Sequence, residues 1–151
     1  RKNYDYIFKP ITPEIIPEVM EFQHIWCQAN NGCTDKGLLQ ENHGILRILS
    51  NWERIPRLVG GVIVVSGNIA AYTIGELACH TIFVHFEKAS LEYGAAYQAI
   101  NKEFMCHMLE AHPELAVANR EEDMNDPGLR EAKMSYMPTD FIKKYRVKIK
   151  I

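Results

Sequence analysis

Residues 58–86 read LVGGVIVVSGNIAAYTIGELACHTIFVHF. Residues 58–65 form a β-branched run, which packs well on a pleated surface and poorly along a helix. Ser66-Gly67-Asn68 supplies turn chemistry, and residues 69–77 resume the β-compatible pattern, so the pair reads as a hairpin. Residues 78–86 add a third strand, in which Ile82, Val84 and Phe86 alternate with Phe83 and His85. Short connections make all three strands an antiparallel meander.

The flanks decide what covers that meander. Upstream, Tyr4-Asp5-Tyr6-Ile7-Phe8-Lys9 alternates and is rich in aromatics, the pattern of a first strand. Thr12-Pro13-Glu14 reads as a helix start with proline in the first turn. Ile15, Val19, Phe22 and Trp26 then fall on one helical stripe. Pro17 shifts or kinks its first turn, and Asn30-Asn31-Gly32 ends it. A second amphipathic helix fits residues 36–52, with Leu38, Leu39, Ile45, Leu46, Ile48 and Leu49 on its apolar face, although Gly44 weakens it. Downstream, helical periodicity runs over residues 93–111 and stops at His112-Pro113. Residues 116–119 form a short strand. Asp126-Pro127-Gly128 caps a helix over residues 127–136. Residues 141–151 read as a closing strand with Tyr145, Val147, Ile149 and Ile151 on one face. A meander followed by crossovers implies an α+β mixed sheet with helices on both faces.

A chain of 151 residues fits one domain, residues 1–151. With 47% hydrophobic and 24% charged residues it has the profile of a globular protein. No apolar run approaches the roughly 20 residues of a membrane-spanning helix. A net charge of −2 argues against general coating of nucleic acid. Cys27, Cys33, Cys79 and Cys106 lack metal-ligand spacing, so no metal is expected and four free thiols in a reducing cytoplasm are. The opening Arg1-Lys2-Asn3 suggests a fragment of a longer protein.

The element order resembles the GNAT acyltransferase fold, without the final strand of the usual pattern. In that fold the loop after the meander cradles the pyrophosphate of coenzyme A on backbone N–H groups at a helix N-terminus. Gly94 and Ala96 match its small positions. Leu91 stands where Arg or Gln is usual, and Glu87 and Glu92 would repel a pyrophosphate, so no cofactor is expected, with coenzyme A as the alternative. "GGVIVVSGNIAAYTIGE" (60–76), "VHFEKAS" (84–90), "GAAYQAINKEF" (94–104), "NREEDMNDPGLREAKMSYMP" (119–138) and "KKY" (143–145) are similar to the phosphatidylglycerol lysyltransferase C-terminal-like family, related to Fem-type aminoacyl transferases. The resemblance implies transfer of an aminoacyl group from the acceptor end of an aminoacyl-tRNA to a lipid, peptide or small-molecule acceptor. It also implies a further GNAT-like half ahead of this one, and a cytoplasmic protein that could work at the inner membrane surface. An acetyl-CoA-dependent N-acetyltransferase and a non-catalytic assembly domain are the alternatives.

Candidate site residues cluster at strand ends. Glu87 and Lys88 close the third strand of the meander, where open sheets present functional groups; the plainer reading is a solvated pair pointing to opposite faces. His85 could serve as a base, but a hydrogen-bonded sheet histidine is the more ordinary role. Tyr97 and Asn101 share one helix face at i and i+4, and a mid-helix asparagine needs a partner if buried. Arg120 can grip phosphate or carboxylate bidentately, while Glu121 can bind an ammonium group or pair with a cation. Lys133 and Tyr136 share a face with Leu129. The expected assignment has Glu87 or Glu121 holding or deprotonating the acceptor and Tyr136 protonating the leaving group. Lys88, Arg120 and Lys133 bind the donor, and Tyr97 and Asn101 line the substrate site.

Overall fold

The computed structural model describes residues 4–145 and 147–149. Two compact units divide the chain, Arg1–Asn119 and Arg120–Ile151.

The first unit holds the sheet. Its strands are β1 (Tyr6–Pro10), β2 (Leu58–Val65), β3 (Asn68–Ala78), β4 (Thr81–Ala89) and β5 (Val117–Asn119), in the spatial order β1-β2-β3-β4-β5. The first four pair antiparallel, and β5 adds in parallel beside Thr81–Phe83 at the start of β4. Three helices accompany them: α1 (Ile16–Ala29), α2 (Lys36–Leu49) and α3 (Ala96–Ala111). The expected meander forms, with Ser66 and Gly67 both at positive φ in its first turn. The expected kink at Pro17 takes the form of a 3-10 turn, Pro13–Ile15, leading into α1.

Both faces of β2 and β3 are covered, which is why these strands read as continuous apolar runs. On one face Val62, Val64, Tyr72 and Ile74 pack against Val19 and Phe22 of α1 and Ile45 and Leu49 of α2. On the other, Ile63, Val65 and Ala71 meet Ala96 and Ile100, and Ile82 and Val84 meet Phe104 and Met108, all four partners lying on α3. A Cβ at Gly61 would come within 2.3 Å of the Phe8 ring, so glycine is what lets β1 lie against β2 there. Register slips by one residue between Ile74 and Gly75, placing His85 as the extra residue on β4. Its ring stacks near Phe83, and its Nε2 lies 3.4 Å from Glu76 Oε2.

Two sequence expectations are corrected. Cys27 and Cys33 are not free thiols: they form a disulfide with Cα atoms 5.1 Å apart, while Cys79 and Cys106 are free and exposed. Asn31, Gly32 and Cys33 all take positive φ, and this tight reversal after α1 returns the chain to within bonding reach. The closing strand expected over residues 141–151 does not form among the described residues, and Arg146, Lys150 and Ile151 lie outside them. Alternation specifies which side chains share a face, but a strand exists only with a partner for its backbone.

The second unit contains α4 (Pro127–Met134), capped by Asp126, whose Oδ1 accepts from Leu129 N at 2.7 Å. No described residue of this unit is buried. No helix among the described residues is long and apolar enough to cross a membrane.

Candidate functional site

The C-terminal end of β4 carries two of the predicted charged residues, Glu87 and Lys88. Successive strand residues point to opposite faces, so Glu87 and Lys88 diverge, Glu87 toward α3 and Lys88 toward α1 and α2. Each meets a partner. Asn101, buried on α3, donates its amide to Glu87 Oε2 at 3.3 Å. That pairing answers the requirement for a partner to a buried mid-helix asparagine.

Lys88 is the more unusual residue, since lysine is seldom buried without a counter-charge. Its side chain is only 9% exposed, and its ammonium donates to Glu41 Oε2 of α2 at 2.6 Å. The same ammonium sits 4.3 Å from the centre of the Trp26 ring, so α1 supplies a second attraction. Nothing in the sequence singles out Glu41 or Trp26 as site residues. Trp26 falls on the apolar stripe of α1, where it reads as core, while Glu41 lies 47 residues from Lys88 and only the tertiary fold brings them together.

A buried hydrogen-bond chain braces this face. The Tyr72 hydroxyl donates to Gln23 Oε1 at 2.7 Å, and the Gln23 amide donates to Asn42 Oδ1 at 2.9 Å. Asn42 is the chain neighbour of Glu41, so β3, α1 and α2 are tied together next to the Lys88–Glu41 pair. Gln23, four residues after Val19 on the apolar side of α1, was the readable signal of such a network. Tyr72 holds its proton far above the ordinary tyrosine range, because burial comes first and the Glu41 carboxylate and Tyr97 add to it.

Tyr97, in the first turn of α3, links the two faces. Its hydroxyl is also raised above the ordinary value of 10.0, chiefly by burial. Hydrogen bonds with the Ala89 backbone and the Trp26 side chain act the other way, while both Glu87 and Glu41 raise it. A single phenol therefore senses the carboxylates of both faces. It stays protonated at neutral pH, its oxygen accepting from the Ala89 backbone and the Trp26 side chain. Beside it runs a cleft of about 990 Å³ along the start of α3, walled by Tyr4, Tyr6, Tyr93 and the Gly94-Ala95-Ala96 stretch. Of the positions singled out in the sequence, Gly94 and Ala96 line that cleft, and none of the eight catalytic and substrate-binding candidates does.

The other predicted residues belong to the second unit. Lys133 donates to the carbonyls of Arg120 at 2.5 Å and Glu122 at 2.6 Å. The Arg120 guanidinium lies 4.2 Å over the Tyr136 ring. Lys144 reaches Glu121 Oε2 at 3.3 Å and Glu122 Oε1 at 3.5 Å, and Arg130 pairs with Asp123. The structure thus brings Glu87, Lys88, Tyr97 and Asn101 together in one unit, and Arg120, Glu121, Lys133 and Tyr136 together in the other.

A four-stranded antiparallel meander closed by a parallel fifth strand after a helical crossover, with helices on both faces, is the GNAT acyltransferase fold. It is shared with a possible acetyltransferase from Clostridium difficile, 8% identical, over 97% of this chain and 98% of that one, at a TM-score of 0.67. It is shared likewise with a ribosomal-protein-alanine N-acetyltransferase from Brucella melitensis biovar Abortus, 8% identical, over 96% of this chain and 100% of that one, at 0.66. At such identities the likeness is one of fold alone.

Within that fold the chain belongs to the family of the phosphatidylglycerol lysyltransferase C-terminal domain, whose family model matches residues 1–148. A conserved protein of unknown function from Bacteroides thetaiotaomicron is 38% identical over 91% of this chain, at a TM-score of 0.82. This chain spans 46% of that protein's length. No curated protein matches the chain.

Proposed function

We propose that this chain is an acyltransferase domain of the aminoacyl-tRNA-dependent kind, moving an aminoacyl group to a lipid, peptide or small-molecule acceptor. The observation that carries the reading is the pair of contacts at the end of β4 on opposite sheet faces, Glu87 with Asn101 and Lys88 with Glu41. Family membership supports the class of reaction.

Aminolysis of an activated ester needs a carboxylate to take the acceptor's proton, a donor for the carbonyl oxygen and a grip on the donor substrate. Glu87, oriented by the Asn101 amide, is the proposed base. Tyr97 is the proposed donor, and Lys88 the proposed anion contact. No covalent enzyme intermediate is required, because positioning two reactants supplies much of the rate. Arg120, Glu121, Lys133 and Tyr136 are proposed as substrate contacts of the second unit, with Glu121 the alternative holder of the acceptor amine and Tyr136 the alternative proton donor. The chain is proposed to act as one GNAT-like domain, the C-terminal half of a longer protein, in the cytoplasm or at the inner membrane surface. The relative of which it spans less than half supports the longer protein.

The test is loss of label from aminoacyl-tRNA in the presence of candidate acceptors, with the chain alone and joined to the preceding half. An ester that persists in both formats with every acceptor sinks the reading. In an active preparation, Glu87→Gln should lower the rate by about 10²-fold or more, within the range for a general base.

A second reading, an acetyl-CoA-dependent N-acetyltransferase, is favoured by one observation: Gly94, Ala95 and Ala96 line a roomy cleft at the N-terminus of α3. Calorimetry with acetyl-CoA discriminates, since no heat at millimolar ligand removes it.

A further inference from the structure

The Lys88–Glu41 pair is asymmetric. The lysine side chain is 9% exposed and the glutamate 32%, so the cation lies inside and the anion nearer to solvent. An ammonium carries three donors, yet among the described residues Lys88 makes one hydrogen bond, to Glu41, with Trp26 beneath it. A buried cation must keep an anion beside it, but nothing requires that anion to be Glu41. Glu41 has a route to water, so withdrawing it returns a carboxylate to solvent rather than stranding it. The backbone beside it stays in place, because Gln23 holds Asn42 and Tyr72 holds Gln23.

We propose that Glu41 is a displaceable placeholder: an oxyanion of the substrate, phosphate or carboxylate, takes its position on Lys88 while Glu41 turns outward. Glu41 then determines specificity. A substrate lacking an oxyanion cannot exchange with it, because Lys88 would be left buried without a counter-charge. The 2.6 Å contact marks where the incoming oxygen sits. Trp26 and Tyr97 bound the position, and the ring of Trp26 holds the ammonium still during the exchange. The inference rests on the proposed function in taking this cluster as the substrate site, but its test needs no transfer reaction.

The experiment compares the full chain with Glu41→Gln, which keeps shape and removes charge, by thermal unfolding and by calorimetry with inorganic phosphate and with acetate. In anion-free buffer Glu41→Gln should melt below the parent chain, and added anion should restore the midpoint. The variant should bind the anion about tenfold or more tightly than the parent, the factor that corresponds to one removed competitor of about 1.4 kcal/mol. Rescue by phosphate alone identifies a phosphate-bearing substrate, rescue by acetate alone a carboxylate, and rescue by both a general oxyanion site. Each supports the proposal provided Lys88→Met abolishes it. A destabilised variant that neither anion restores, or a gain that survives Lys88→Met, overturns it and leaves a purely structural ion pair. If Glu41→Gln does not fold, Glu41→Asp takes its place. Its shorter carboxylate holds Lys88 less well and should raise anion affinity by a smaller factor, and unchanged affinity counts against the idea. Anion rescue without transfer would leave this inference standing while the proposed reaction fell; transfer without rescue would do the reverse.

Discussion

Two cations in this molecule lie over aromatic rings at nearly the same distance, Lys88 at 4.3 Å from Trp26 and Arg120 at 4.2 Å from Tyr136. The surroundings differ. Lys88 is buried between helices and sheet with a single carboxylate, while Arg120 belongs to a unit in which no described residue is buried and Tyr136 is 40% exposed. A cation over a ring contributes about 2 kcal/mol when desolvated and about 0.5–1 kcal/mol when hydrated. The buried Lys88 takes the upper figure, and the half-buried Arg120, over a ring that is itself partly exposed, falls between the two. Charges kept from water are costly to maintain, which makes the first unit the better place to look for chemistry.

The largest expected effect breaks the buried pair. Glu41→Leu leaves Lys88 without its carboxylate and should cost about 3 kcal/mol, the low end of the range because Glu41 is partly hydrated. The double change Glu41→Leu with Lys88→Met should recover most of that, since an apolar pair can replace a buried ion pair. Urea unfolding of both variants and the parent measures it. Equal losses in the single and double variants would mean the pair does not hold the fold.

Next comes Tyr72→Phe, which leaves the Gln23 carbonyl oxygen without its donor. It should cost about 1–2 kcal/mol. The same variant carries a pH signature. Burial raises the folded Tyr72 above the ordinary 10.0, so above pH 10 the unfolded chain holds fewer protons than the folded one. Parent stability then falls as pH climbs past 10. Tyr72→Phe should flatten that fall and not remove it, because Tyr97 is raised as well. An unchanged slope in urea midpoints against pH would show that Tyr72 is not the group responsible.

How much of this was legible in the sequence follows from what is local. The meander could be read because β-branched runs and Ser66-Gly67-Asn68 act within a few residues. The cap of α4 could be read because Asp126 and Pro127 suffice for it. Glu87, Lys88, Tyr97 and Asn101 could be nominated from position alone, one pair at a strand end and the other on a single helix face. Glu41 could not, because a glutamate on an amphipathic helix normally faces water, and its partner lies on a distant strand. The Cys27–Cys33 bond depended on three consecutive positive φ values that no composition rule specifies, two of them at residues other than glycine. The alternation over residues 141–151 specifies a face and no partner.

In the second unit the contacts are the kind that solvent weakens. Lys133 ties the carbonyls of Arg120 and Glu122 to α4 from a half-exposed position. Lys133→Met should therefore cost about 1 kcal/mol. The loss should appear as faster amide exchange in α4, with the sheet of the first unit unaffected. Protection lost in β2 and β3 as well would mean that the two units do not respond separately.

The smallest effect belongs to Asp123. Its carboxyl is held down to about 2 from 3.8, first by the Arg130 hydrogen bond and then by the backbone of Asn125. Both partners are surface groups, and exposed pairs add little to stability. Because the folded value is depressed, whatever the pair contributes is fully present above 3.8 and is lost as pH falls toward 2. Asp123→Asn should leave the thermal midpoint at neutral pH unchanged within error, and carboxyl titration by NMR should lose one group from the low end. A clear drop in midpoint at neutral pH would show that the second unit carries a buried electrostatic element after all, and would close the contrast between the two cations.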